Sequence, residues 1–117
     1  MARKKKKKNR IPKDVAEMVK DRADGHCEAA NFPTCTGFPE HLHHRQLRSQ
    51  GGGHTVENLI AVCSSCHTWF HREVAAATSQ GWIVRSVHEP VEVPMKYRGR
   101  TVVLAADGGV EYQVLDA

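Results

Sequence analysis

The sequence predicts a small α+β protein that forms a single domain, and three observations lead to this fold class. Apolar residues recur at helical spacing near residues 12–24 and 64–80. Residues 40–45 and 59–62 have the length of short strands, and apolar and polar residues alternate after residue 82. Four cysteines and eight histidines stand in only 117 residues, which is typical of a small fold that metal ions help to stabilise.

The first predicted helix covers residues 12–24. Its positions i, i+3, i+4 and i+7 are occupied by Val15, Met18, Val19 and Arg22. Pro12 is tolerated in the first turn, and Gly25 ends the helix. Prolines and a glycine interrupt residues 26–39, so we expect an irregular loop there, held at Cys27 and Cys35.

The next elements form a strand–loop–strand–helix unit. The two short strands flank a flexible loop at residues 46–57, which contains three consecutive glycines. A helix over residues 64–80 follows the second strand directly and ends at Gly81.

The last third of the chain is predicted to be β structure. The alternation begins at Trp82 and Val84, and an Asp-Gly-Gly turn signal at residues 107–109 predicts a C-terminal β hairpin. We therefore divide the chain into a disordered basic tail, a core, and a C-terminal β extension of the same domain, at residues 1–10, 11–81 and 82–117.

The positive charge of the chain is concentrated at its N-terminus. The formal net charge is +4, but residues 1–10 hold seven of the 17 lysines and arginines and no acidic residue. The tail can therefore reach phosphates by displacing their counterions, or it can serve only as a solubilising or localisation segment. No apolar run approaches the ~18 residues of a membrane span, and no apolar segment of a signal peptide follows the tail. We expect a soluble, intracellular protein.

The four cysteines form two pairs, Cys27 with Cys35 and Cys63 with Cys66. Disulfides are improbable in a reducing compartment, and four thiolates give the closed tetrahedral coordination of structural Zn²⁺. The seven-residue gap in the first pair is long for a zinc knuckle. Redox chemistry at the second pair would require a βαβ context, which is absent, and unliganded cysteines are the remaining alternative.

The histidines suggest a second metal site. His67 and His71 are four residues apart in a predicted helix, so both rings project from one face and can share an ion. His43 and His44 are adjacent in a predicted strand, so their rings point to opposite sides and can take different roles. His41 lies on the same strand face as His43 and can join the site.

These residues carry a resemblance to a known family. The identity, order and spacing of His44, Asn58 and His67 are similar to the HNH nuclease motif, and residues 63–67 overlap it as in members with a four-cysteine zinc site. The resemblance implies a ββα-metal (His-Me finger) core with a preceding helix and a C-terminal β hairpin. Residues 43–52 and 89–94 further resemble HNH proteins of tailed bacteriophages and prophages, and the likeness extends over roughly residues 15–110.

The resemblance implies a role for each residue of the motif. His44 corresponds to the general base that takes a proton from the attacking water, and Asn58 to the residue that fixes the base's orientation. His43 and His67 correspond to ligands of a catalytic divalent metal, which can be Mg²⁺, Mn²⁺, Ni²⁺ or Zn²⁺. His71 corresponds to an extra helix ligand found in toxin-type members.

The resemblance also implies DNA as the substrate, with 5′-phosphate and 3′-hydroxyl ends as products. Arg45 and Arg48 are then expected to hold flanking phosphates. It implies a phage- or prophage-encoded enzyme of the bacterial cytoplasm that acts in DNA processing or packaging, with terminase or packaging proteins as partners.

Each assignment has an alternative. His43 or His71 can be a hydrogen-bonded structural histidine, Asn58 can be a turn or cap residue, and Arg45 and Arg48 can be solvated. The alternative function is a non-catalytic zinc-dependent DNA-binding module. Such a module would need the cysteines and the tail, but not the three motif residues together.

Overall fold

The structure is a computed structural model, and it describes residues 10–113. The predicted tail, except for its last residue, lies outside the described residues, as do residues 114–117. The described helices and strands are α1 (Lys13–Ala23), β1 (His41–His44), β2 (Leu59–Val62), α2 (Ser64–Arg72), α3 (Val74–Ser79), β3 (Met95–Tyr97), β4 (Arg100–Leu104) and β5 (Val110–Tyr112). No helix among these is long and apolar enough to cross a membrane. The predicted α+β class is confirmed.

The centre of the fold is the antiparallel pair β1–β2 followed by α2. In this pair His41 lies opposite Val62, and His44 lies opposite Leu59. All four residues of β2 are buried, because the strand is covered on both faces. Leu59 and Ala61 pack in one apolar cluster with α1, while Ile60 and Val62 pack in another with α2 and the C-terminal sheet. This ββα arrangement is the predicted one.

A buried ionic network joins α1 to the rest of the molecule. Arg22 donates to both carboxylate oxygens of Glu28, at 2.6 and 3.1 Å. The same carboxylate accepts from the Ala61 amide at 2.9 Å and from the Tyr97 hydroxyl at 2.9 Å. Glu28 is fully buried. The burial of Tyr97 and the negative charge of Glu28 raise the pKa of the Tyr97 hydroxyl. The network fixes the start of the cysteine loop against β2.

The C-terminal region forms a three-stranded antiparallel sheet in the order β3-β4-β5. The predicted hairpin is present as β4–β5, and β3 extends it on the other side. Trp82 and Val84 are buried but lie outside any strand, so the expected strand at their position was wrong. Their amides donate to carbonyls of α3 and of Arg45, at 3.0 and 2.9 Å. These bonds hold the segment against the core without a strand partner.

The helix predicted over residues 64–80 is divided into α2 and α3. The break is at Glu73, whose φ of −115° and ψ of 64° are not helical. It turns α3 so that Ala77 is fully buried in the same cluster as Phe70 and Trp82. The apolar spacing continues through the break, which is why the sequence predicts one helix.

Candidate metal centres and active site

The four cysteines come together beside the N-terminus of α2. Their sulfur atoms all lie within 4.8 Å of one another. Cys63 precedes α2 and Cys66 lies in its first turn, whereas Cys27 and Cys35 belong to the loop after α1. Three of the four are buried and Cys35 is half-buried. The predicted quartet is therefore assembled from two distant segments around one point.

Backbone amides surround these sulfurs. Cys63 accepts from the amides of Thr36 and Cys66 at 3.4 and 3.3 Å, and Cys35 accepts from the Gly37 amide at 3.2 Å. A hydrogen bond from Cys66 lowers the pKa of Cys27 to about 5. The amide donors and the low pKa of Cys27 favour thiolates, whereas the same hydrogen bond raises the pKa of Cys66. Four sulfurs with no open position fit structural Zn²⁺.

Three histidines form a second group, between β1 and α2, that is separate from the cysteines. Ring nitrogens of His43, His67 and His71 lie within 4.8 Å of one another. His43 comes from β1, while His67 and His71 lie one turn apart on α2. The first is buried, the second half-buried and the third exposed. The group is thus closed by protein on one side and open to solvent on the other, as a catalytic metal site requires.

The surroundings of His43 determine which of its nitrogens can bind a metal. Its Nε2 lies 2.8 Å from the backbone carbonyl of Trp82. Because a carbonyl oxygen only accepts, Nε2 carries the proton and Nδ1 keeps the lone pair. Burial lowers the pKa of His43 to about 3, so the ring is neutral at physiological pH. A neutral imidazole oriented by a carbonyl is the usual form of a metal-binding histidine.

His44, the next residue, has different neighbours. Its Nε2 lies 3.0 Å from Nδ1 of His54, whereas the ring of His43 packs against Phe70. Burial, followed by the charges of His54 and Arg48, lowers the pKa of His44 below its usual value. The lower pKa favours the neutral ring, in which one nitrogen carries a lone pair that can accept a proton.

Asn58 is fully buried and connects the end of β1 to the glycine loop. Its Oδ1 accepts from the Gln46 amide at 2.7 Å, and its Nδ2 donates to the carbonyls of Gln46 and Gly53, both at 3.0 Å. A Cβ at Gly52 would come within 1.7 Å of the Gln46 carbonyl oxygen, so this loop position requires glycine. Asn58 cannot reach a substrate from here, and its contacts suit a positioning role.

The expected contact of Arg45 with phosphate is corrected by the structure. Arg45 is fully buried. Its guanidinium donates to the carbonyls of Gly81, Glu57, Pro90 and Val93, at distances of 2.9 to 3.2 Å. Because it is buried and four of its five N–H groups are bonded to these carbonyls, it is not placed to contact DNA. Arg48 is exposed, donates to the Gly52 carbonyl at 3.2 Å, and lies close enough to His44 to influence its pKa.

Two contributors to this site, the Trp82 carbonyl and His54, were not expected from the sequence, whereas His41 was. The Trp82 carbonyl orients His43, and no sequence pattern marks a backbone atom. His54 contacts His44, and the only signal for it is a histidine that follows the glycines. His41, which the strand alternation placed on the correct face, approaches His67 with Nδ1 atoms 2.9 Å apart.

Comparison with known proteins gives one finding on this region. Residues 34–73 match the family model described as HNH endonuclease. That range contains β1, the glycine loop, β2, α2 and all three histidines of the open metal site. No curated protein and no solved structure matches the chain.

Proposed function

We propose that this chain, which carries an HNH endonuclease domain over residues 34–73, is a metal-dependent DNA endonuclease. The observation that carries the proposal is that His44 directly follows His43 on β1, while His43 belongs to a solvent-open group of three histidine nitrogens. One ring on β1 faces a candidate metal site, and its neighbour keeps a free nitrogen. A water-activated hydrolysis needs both.

In this reaction His44 acts on water. Its Nδ1 takes a proton as the water oxygen attacks phosphorus, and the bond from phosphorus to the 3′ oxygen breaks. The 3′ oxygen then takes a proton from solvent, which leaves 5′-phosphate and 3′-hydroxyl ends. The lowered pKa of His44 favours the neutral ring, which is the form that can act as a base.

Two metals are assigned by the chemistry of their ligands. The cysteine quartet would hold structural Zn²⁺. His43, His67 and His71 would hold the catalytic divalent ion, for which Mg²⁺, Mn²⁺, Ni²⁺ and Zn²⁺ are the candidates. When bound there, the ion would stabilise the negative charge that develops on the phosphate and the leaving oxygen.

DNA is the substrate that the family membership supports. Arg48 is exposed near His44 and can hold a flanking phosphate. We assign the basic residues 1–10 to sequence-independent contact with the DNA backbone. The resemblance of residues 43–52 and 89–94 to tailed-phage proteins supports a role in phage DNA processing or packaging in the bacterial cytoplasm, with terminase as the partner.

The test is cleavage of supercoiled plasmid with each of the four metals. We expect wild type to cut and His44→Ala to lose about 10²- to 10⁴-fold in rate, because the base is removed. His88→Ala is the matched control, since that histidine is exposed and distant from the site in sequence; it should cut like wild type.

Two results would contradict the proposal. Equal cleavage by wild type and His44→Ala would remove His44 as the base. A folded, zinc-loaded wild-type protein that cuts with none of the metals would support the non-catalytic DNA-binding module instead. DNA affinity measured on the same sample would then give the remaining function.

A further inference from the structure

We propose that His54 is a positioning residue for the general base: its Nδ1 accepts a hydrogen bond from Nε2 of His44 and so keeps the lone pair of His44 on Nδ1. The catalytic effect of this hydrogen bond rests on the proposed nuclease function. The hydrogen bond itself is a property of the chain that can be measured without any cleavage.

The contact between the two rings is direct. Nε2 of His44 and Nδ1 of His54 are 3.0 Å apart, and the ring centroids are separated by 5.1 Å. Both side chains are half-buried, so water competes less for this hydrogen bond than it would at the surface. The rings belong to different segments, β1 and the glycine loop, so the contact is a tertiary one.

The direction of the hydrogen bond determines whether His44 can be a base. If His54 donated, the neutral His44 ring would carry its single proton on Nδ1, and neither nitrogen could accept a proton from water. If His44 donates, Nε2 carries the proton and Nδ1 holds the lone pair. When Nδ1 takes the proton from water, the ring becomes cationic, and His54 then accepts a stronger, charge-assisted bond.

The loop around His54 is built to hold this ring. The carbonyl of Gly53, the residue before His54, accepts from Nδ2 of Asn58 at 3.0 Å. The Gly52 amide donates to the Leu47 carbonyl at 2.9 Å, and no side chain fits at Gly52. Asn58 therefore supports the position of His44 by two routes. One is through Gln46, two residues after His44, and the other is through Gly53 and the following His54.

In this arrangement the other nitrogen of His54, Nε2, carries that ring's proton. Its Nε2 is buried and has no hydrogen-bond partner among residues 10–113. A buried imidazole nitrogen without a partner costs free energy. The ring is therefore held in place by the loop and by its contact with His44, and not by a bond of its own at Nε2.

The test uses two substitutions with opposite expectations. His54→Phe keeps a ring but has no acceptor at the Nδ1 position, and kcat should fall by roughly tenfold to a hundredfold with little change in KM. His54→Asn places its Oδ1 near the former Nδ1, and kcat should recover to within about threefold of wild type. Thr55→Ala, an exposed neighbour in the same loop, is the control.

A second readout is independent of cleavage. Nitrogen-15 NMR of the imidazole rings reports which nitrogen of His44 is protonated. We expect the Nε2–H form in wild type and in His54→Asn, and a mixture of both forms in His54→Phe. If wild type cuts no DNA but shows this pattern, the nuclease function fails and the positioning contact stands.

Two outcomes would overturn the inference. One is an Nδ1–H form of His44 in the wild-type protein. The other is a folded His54→Phe variant that keeps the wild-type kcat, since the acceptor would then have no part in orienting the base.

Discussion

The four cysteines (Cys27, Cys35, Cys63 and Cys66) and the three histidines (His43, His67 and His71) differ in their exposure to solvent, although both groups include residues of α2. Cys66 and His67 are consecutive residues of α2, and each belongs to a different group of candidate metal ligands. Cys66 is fully buried, and its group joins the largest apolar cluster. His67 is half-buried, and its group ends at the exposed His71.

The difference shows how one short element can serve structure and chemistry at once. Side chains one residue apart on a helix point about 100° away from each other, so Cys66 turns toward the core and His67 toward the rings of His41 and His43 on β1. The thiolates are enclosed, which suits an ion that never exchanges its ligands. The imidazoles leave one side open, which suits an ion that must meet water and phosphate.

The strongest test of this contrast is removal of a cysteine. Cys66→Ser should abolish folding, because structural zinc contributes roughly 10 kcal/mol or more to such a small domain. Circular dichroism with a zinc measurement on wild type, expected to give about one tightly held ion, would check it. Ser65→Ala, the preceding residue, is the control and should fold.

A Cys66→Ser chain that folds as wild type without zinc would show that the quartet is only a group of buried thiols. The contrast between the two sites would then disappear.

The second test removes a central ligand of the open site. His67→Ala should lose nearly all metal-dependent cleavage but keep its fold, because only the catalytic ion is released. Wild type should gain about 2.7 kcal/mol of unfolding free energy at a metal concentration of about 100 times Kd, and the variant should gain little. Thermal unfolding with and without added metal measures this difference.

Thr68→Ala, exposed on the same helix, should respond to metal as wild type does. If His67→Ala unfolds in the absence of any added divalent ion, the three histidines have a structural role. The contrast between a structural cysteine group and a catalytic histidine group would then be wrong.

The smallest effect is expected at the edge of the triad. His71 is exposed, so His71→Ala should weaken metal binding by about tenfold, and excess metal should restore most of the cleavage. Titration of activity with Mn²⁺ or Ni²⁺ would show the shift, with Arg72→Ala as the matched control. An unchanged metal titration would exclude His71 from the ligand set.

The sequence predicts the ββα core well because its signals are local. The alternation around His43 and His44 and the four-residue spacing of His67 and His71 each determine a direction on one element. The two cysteine pairs are far apart in the sequence, but cysteine is itself a typical metal ligand, so the residue type indicates the site.

What the sequence could not predict depends on distant contacts. An arginine next to the proposed base is expected to contact phosphate, but Arg45 is enclosed by carbonyls from residues 12 to 48 positions away. The partner of His43 is a backbone oxygen 39 residues along the chain. Glu28 lacks any local pattern that would mark its buried pairing with Arg22.

Arg45 also limits how far the candidate active site could be transferred to another protein. Its bonds to the carbonyls of Gly81, Pro90 and Val93 lie beyond the residues that match the family model. A chain shortened after residue 80 would leave this cation largely unpaired and would also remove the carbonyl that orients His43. Grafting residues 34–73 into another protein would transfer the three candidate histidine ligands, but neither Cys27 nor the carbonyl that orients His43.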